Sequence, residues 1–383
     1  MTFRLALVLL LIAAGAHAAD GLPDAITSDG GRYFGSLRDA KPNGRGRVEW
    51  DSGARYAGEF ANGRFDGRGR FESASGEIFE GDFDKGEFTG HGTYSRADGA
   101  RYRGQFVNWR MHGEGRYSDG KGEIYEGEFV DGVFKPLAEH RRLLDAALAA
   151  MAPGRPGVIE LYLLAVGGDG SQEVFRREVE FVRAQFDERF GTRSRSLALV
   201  NSRNIVAPMA TVSSIGEALK GIGERMNRDE DILFLFLTSH GSREHELKLQ
   251  QNQMTLRDLP ARELASMLRS SGVRWKVIVV SACYSGGFID ALRDDYTLII
   301  TASRHDRSSF GCADEADFTY FGRAFFKEAL PASRSFQDAF AKADALVAEW
   351  ERKDLPKEPR SLPQLHTTPS ITSHLQRWAE QQR

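Results

Sequence analysis

Two hydrophobic rhythms divide this chain. Between residues 31 and 135, apolar and polar residues alternate one by one, as in Ile78-Phe79-Glu80-Gly81-Asp82-Phe83. A period of two is what a half-buried β-strand requires. Beyond Pro156 the rhythm changes to short, largely apolar runs at 158–166, 196–201, 232–237, 276–280 and 298–301. Stretches of helical spacing separate them, at 171–190, 212–226, 320–330 and 336–352. Buried strands alternating with amphipathic helices predict an α/β domain with a mostly parallel sheet covered on both faces. In such sheets functional groups collect at the carboxyl ends of the strands. Between the two halves, Leu143, Leu144, Ala147, Leu148 and Met151 give residues 138–151 one apolar helical face, which Pro153-Gly154-Arg155-Pro156-Gly157 ends.

The first half repeats itself. Tyr33, Tyr56, Phe79, Tyr102 and Tyr125 recur at a spacing of 23, each followed two residues later by glycine. Phe60, Phe83, Phe106 and Phe129 come next, and Gly-x-Gly pairs recur at Gly44/Gly46, Gly67/Gly69, Gly90/Gly92 and Gly113/Gly115. One hairpin cannot bury its own aromatics, but a stack of hairpins can, so an all-β ladder is expected. The pattern resembles the MORN repeat family over residues 31–135. Its charge is balanced, 17 Lys/Arg against 18 Asp/Glu in residues 30–135. That disfavours a polybasic lipid-binding surface, so membrane binding is not expected. A rigid spacer or a protein-docking surface is.

The chain begins like an export signal. Arg4 precedes an unbroken apolar run at 5–14, and Ala16-His17-Ala18 offers a small-x-small cleavage site. The run is short for a membrane span, although an uncleaved anchor is the competing reading. The organisation expected is therefore a signal at 1–18, repeats at 31–135, a helical linker at 136–157, an α/β domain at 158–353 and a tail at 354–383. Secretion, into a bacterial periplasm, is the expected localisation. The net charge of −3 in 383 residues gives no reason to expect a nucleic-acid partner.

Candidate chemistry sits at two strand ends. Thr238-Ser239-His240-Gly241 follows the run at 232–237, and Ser281-Ala282-Cys283-Tyr284-Ser285-Gly286-Gly287 follows that at 276–280. A cysteine nucleophile needs its thiolate, which the start of a helix expected at 286–293 would favour. A neighbouring imidazole can protonate the leaving amine. The N–H groups of Gly241 and Cys283 could polarise a carbonyl. Cys283 and Cys312 are not a Cys-x-x-Cys pair, which argues against a disulfide oxidoreductase. No metal-ligand spacing is evident around His240 and His245, and no cofactor is expected.

The strand–Ser-His-Gly and strand–Ala-Cys-x-Ser-Gly arrangement is similar to the legumain-like cysteine peptidases, relatives of the caspases. Ile300-Thr301-Ala302-Ser303, Ser308-Ser309-Phe310-Gly311-Cys312 and Thr319-Tyr320-Phe321-Gly322 extend the resemblance, as does Phe175-Arg176-Arg177. It implies a caspase-like sheet, Cys283 as nucleophile, His240 as acid/base, Arg176 and Ser309 in the specificity pocket, a peptide or protein substrate, and a packing role for Cys312. It also implies departures. Val174 stands where the family has an asparagine, leaving the third catalytic member open. Ser281 stands where the pocket has a glutamate, and Arg323 where it has an aspartate. A pocket holding Arg176 and Arg323 and no acid would favour aspartate before the cleaved bond. Hydrolysis and transpeptidation both stay open, as does an inactive peptidase fold serving as a scaffold.

Overall fold

The structure, a computed structural model, describes residues 21–205 and 207–382; the expected signal segment lies outside them. The chain divides into two compact units, Met1–Arg110 and Met111–Arg383. Among the described residues no helix is long and apolar enough to cross a membrane.

The first unit is an antiparallel ladder in chain order: β1 (Ala25–Ile26), β2 (Arg32–Arg38), β3 (Lys41–Glu49), β4 (Arg55–Ala61), β5 (Arg64–Glu72), β6 (Ile78–Asp84), β7 (Glu87–Ser95) and β8 (Arg101–Val107). Its repeat is explained by one packing motif. Tyr33 and Tyr56 are buried, and their hydroxyls donate to the carbonyls of Ser36 and Glu59 at 2.8 and 3.0 Å. In the first two Gly-x-Gly pairs the second glycine forms the floor under such a ring. A Cβ at Gly46 would lie 2.6 Å from the Tyr33 ring, and one at Gly69 would lie 2.5 Å from that of Tyr56. The register shifts between Gly35 and Leu37, between Gly58 and Phe60, and between Gly81 and Phe83, so the first three units each carry a bulge at the aromatic-x-Gly glycine.

The second unit opens with the strands that follow, β9 (Arg110–Ser118), β10 (Ile124–Val130) and β11 (Val133–Phe134). Helix α1 (Lys135–Ala149) leads into an α/β sheet made of β12 (Leu161–Gly167), β13 (Ser196–Val200) and β14 (Ile232–Thr238), followed later in the chain by β19 (Trp275–Ser281), β20 (Thr297–Thr301) and β21 (Gln364–His366). Between β14 and β19 lie four short strands, β15 (Glu246–Leu247), β16 (Gln250–Gln251), β17 (Met254–Thr255) and β18 (Leu259–Pro260). The helices are α2 (Glu173–Arg189), α3 (Val212–Gly223), α4 (Ala261–Ser270), α5 (Phe288–Leu292), α6 (Tyr320–Gly322), α7 (Phe336–Asp354) and α8 (Pro369–Gln381). Sheet order is β13-β12-β14-β19-β20-β21, parallel but for β21, which runs antiparallel to β20. On one face, Leu161, Leu163, Phe234, Phe236, Val277 and Ile300 pack in one core with Val179, Val182 and Phe186 of α2.

Three features differ from the sequence expectation. Residues 354–383 are no tail: β21 extends the sheet, and Ile371, Leu375 and Trp378 of α8 enter the core. The helix expected over 320–330 is a short α turn followed by a π-helical stretch, Arg323–Ala329. The third is at the end of the repeats. One edge of β10 pairs with β9, while its other edge pairs with β17 at Ile124 and Tyr125 and with β11 at Phe129 and Val130. Strand β17 belongs to the loop that follows His240, so this last hairpin is built into the α/β unit.

Burial also sets a pH dependence. His140 on α1 is buried, and its Nδ1 accepts the N–H of Met209 at 2.9 Å. Burial first, then the neighbouring Arg141 charge, lowers its pKa below the ordinary 6.5. The unfolded chain then binds the extra proton more readily, so stability falls as pH drops through about 6.5 and levels off below the folded value. Urea melts between pH 7.5 and 5 should show this slope reduced in His140→Asn, whose side-chain oxygen can accept the same bond. An unchanged slope would remove His140 from the account.

Candidate active site

The parallel register brings the two candidate loops together. Thr238 of β14 pairs with Ser281 of β19, so His240 and Cys283 each lie two residues past adjacent strand ends. The contact beyond that point is tight. The N–H of Ser239 donates to Ser281 O at 3.2 Å, and a Cβ on Gly241 would lie 2.1 Å from the carbonyl oxygen of Cys283. Any side chain at position 241 would force the loops apart, so glycine here is a steric need. Gly241 faces Leu247 in an antiparallel bridge closed by His240 O and Ser242 N–H. The N–H of Gly241 takes no part in those bonds.

His240 is oriented by a residue the sequence reading passed over. Its Nε2 lies 2.9 Å from Oε1 of Gln172, the N-cap residue of α2. With Nε2 donating to that amide oxygen, Nδ1 is the nitrogen left for proton transfer. The Phe175 ring stands edge-on to the imidazole at 5.2 Å. Burial lowers the His240 pKa; buried Asp169 opposes this and Lys248 adds to it. Val174 is fully buried in the core. Gln172 was legible as a polar residue just past an apolar strand, but nothing in the sequence aimed it at His240.

The Cys283 sulfur is seated by Ser309. The Ser309 N–H points at Sγ from 3.3 Å, and the serine carbonyl and hydroxyl oxygens lie 3.6 and 3.7 Å away. Immediately after the cysteine, Tyr284 adopts a left-handed backbone, φ 56°, a conformation costly for a non-glycine residue. It is held there by its N–H to Arg307 O at 2.8 Å and by His245 Nδ1 against its carbonyl at 3.2 Å. The helix expected at 286–293 is a 3-10 turn, Ser285–Gly287, followed by α5. His245 packs on Gly287, where a Cβ would lie 2.1 Å from its ring, so its role is structural. A cavity of about 890 Å³ lies by the turn that follows Cys283, walled by Gly286, Gly287, His245, His305 and Asp290; neither Cys283 nor His240 lines it.

The remaining candidates are scattered. Ser281 is buried, with Oγ 3.1 Å from Thr319 Oγ1. Arg176 lies between Glu173 and Glu180, at 2.5 and 2.6 Å. Arg323 pairs with Glu328 at 3.3 Å and lies over the Trp350 ring at 4.9 Å. Each guanidinium has its own carboxylates, so the acid-free pocket with two cations expected from the sequence is not what these side chains build. Cys283 and Cys312 are both free thiols. Burial, with the nearby Cys283 and Glu178, pushes the Cys312 thiol up to about 12, which leaves it unreactive at neutral pH.

Comparison with known families follows this division. Residues 216–361 match the Peptidase C13 family, and residues 33–55, 56–78, 79–101, 102–124 and 125–134 match the MORN repeat. The first match holds His240, Cys283 and Ser309; α2, with Gln172 and Arg176, precedes it. No curated protein matches the chain.

Proposed function

We propose, for a chain that carries a Peptidase C13 (legumain family) domain behind MORN repeats, that it is an exported cysteine endopeptidase working through Cys283 and His240. The observation that supports this reading is the pairing of two strand ends, one leading to a histidine bonded to Gln172 and the other to a cysteine whose sulfur meets the Ser309 N–H. In the reaction the Cys283 sulfur attacks the scissile carbonyl, and the thiol proton passes to Nδ1 of His240. The N–H of Gly241 supports the oxyanion. His240 then gives its proton to the departing amine, leaving an acyl group on Cys283. Water resolves the acyl-enzyme in hydrolysis, and a second amine would do so in transpeptidation.

Support for export is the apolar run after Arg4 with its Ala16-His17-Ala18 site. The repeats supply a rigid surface suited to docking a protein partner. Incubating the purified protein with a diverse peptide library should give cleavage after a restricted set of residues. A peptidyl acyloxymethyl ketone built on the best sequence should label Cys283 and leave Cys312 free. Absence of both cleavage and labelling would favour an inactive peptidase fold acting as a scaffold.

A further inference from the structure

A carboxyl group that the mechanism does not use lies beneath the site. Glu178 of α2 is fully buried. Its Oε2 accepts the Thr238 hydroxyl at 2.5 Å, and its Oε1 accepts both the N–H and the hydroxyl of Thr319, at 3.0 and 2.8 Å. Thr238 ends the strand that leads to His240. Thr319 Oγ1 lies 3.1 Å from the hydroxyl of Ser281, which ends the strand that leads to Cys283. The next residue, Tyr320, donates its N–H to Phe310 O at 3.0 Å, adjacent to the Ser309 that seats the sulfur. One side chain thus reaches all three segments of the site.

Burying a carboxyl in a core is costly, and burial indeed raises its pKa while the bonds from Thr238 and Thr319 oppose the rise. A leucine would fill similar space without that cost. The chain even makes room for the acid: a Cβ on Gly322 would lie 1.8 Å from Glu178 Oε1, although the backbone there, φ −61°, would accept alanine.

We infer that Glu178 is a positioning residue of this site, holding the end of β14 and the Ser309 segment at the spacing that aligns His240 with the Cys283 sulfur. The inference rests on the cysteine-peptidase reading for its meaning, but one of its measurements does not need a substrate.

The test compares Glu178→Gln with Glu178→Leu in the full chain. Glutamine can accept from Thr319 and donate to the rotated Thr238 hydroxyl, whereas leucine accepts from none of the three donors. Two quantities are read at neutral pH: the rate of Cys283 alkylation by iodoacetamide, located by peptide mapping, and kcat and KM on the best library peptide. Leucine should slow alkylation at least fivefold and kcat at least tenfold, with KM within threefold and thermal stability kept. Glutamine should stay within about twofold of the parent protein. Gly322→Ala should reproduce the leucine defect by displacing the carboxyl.

A folded Glu178→Leu protein with alkylation and kcat within twofold of the parent would overturn the inference. So would a glutamine variant as impaired as the leucine one. If the leucine variant does not fold, Thr238→Val and Thr319→Val, which remove the two hydroxyl donors one at a time, carry the same prediction and the same refutation. If the parent protein cleaves no peptide, the peptidase reading fails, and alkylation alone decides whether Glu178 positions the cysteine.

Discussion

Cys283→Ala should abolish peptide cleavage and acyloxymethyl ketone labelling, and His240→Ala should lower kcat by roughly 10²–10⁴, the usual loss on removing an acid/base group. Both expectations follow from the proposed pairing of Cys283 with His240. The cysteine is the proposed acyl acceptor, so its removal takes away the covalent route. Without His240 a thiol can still ionise, but the leaving amine has no proton donor. Gln172→Ala should fall between these variants and the parent. It removes one hydrogen bond worth about 1 kcal/mol, a rate effect of roughly fivefold to tenfold if the bond serves only orientation. Circular dichroism and thermal melts establish that each variant is folded before rates are compared. Full activity in Cys283→Ala would refute the assignment. Full activity in His240→Ala alone would move the acid/base role elsewhere in the cleft.

The second large effect concerns where the catalytic part of the chain begins. The sequence pattern predicts that a fragment starting near residue 136 is independent of the repeats and active. The structure gives a reason to expect the opposite. Residues 111–135 supply β10, whose Ile124 and Tyr125 pair with Thr255 and Met254, and whose Glu126 N–H donates to Gln253 O at 3.0 Å. The same hairpin continues to Gln250, which exchanges bonds of 2.9 Å with Gly168 and Gly170, beside Asp169. Lys248, between hairpin and histidine, donates its N–H to His240 O at 3.0 Å, and its carbonyl accepts the Ser239 hydroxyl at 2.6 Å. Removing β10 therefore unpins the loop that carries His240. It also discards the buried Phe129 and Phe134, each worth about 1.5–3 kcal/mol of hydrophobic stabilisation.

A fragment beginning at residue 111 should accordingly keep kcat/KM within about threefold of the full chain on short peptides. One beginning at residue 136 should lose at least tenfold and melt at lower temperature. Equal activity of the two fragments would show that the last hairpin is dispensable to the site. Loss of activity in both would make the first unit part of the catalytic apparatus.

Much of this protein can be read from residue order, because much of it depends on local periodicity. The spacing of 23 between aromatics predicts the ladder, since stacked hairpins bury these rings together, as where the Tyr33 and Tyr56 rings lie on Gly46 and Gly69. Largely apolar runs without alternation predict the parallel strands, since both faces of such a sheet are covered. A histidine and a cysteine directly after two of those runs predict the dyad, because parallel strands put their carboxyl ends side by side.

Tertiary structure decided what depends on partners far away in sequence. Gln172 faces His240 across 68 positions, and Glu178 faces Thr319 across 141. Neither distance has a period that a sequence pattern could reveal. Arg323 was assigned by adjacency to a short motif, but a helical residue points where its turn directs it, here toward Glu328 and Trp350. The boundary at residue 136 was drawn where the repeat pattern stops. The physical boundary falls earlier, because the edge of β10 was left with backbone groups to satisfy, and the nearest partner was the loop carrying His240.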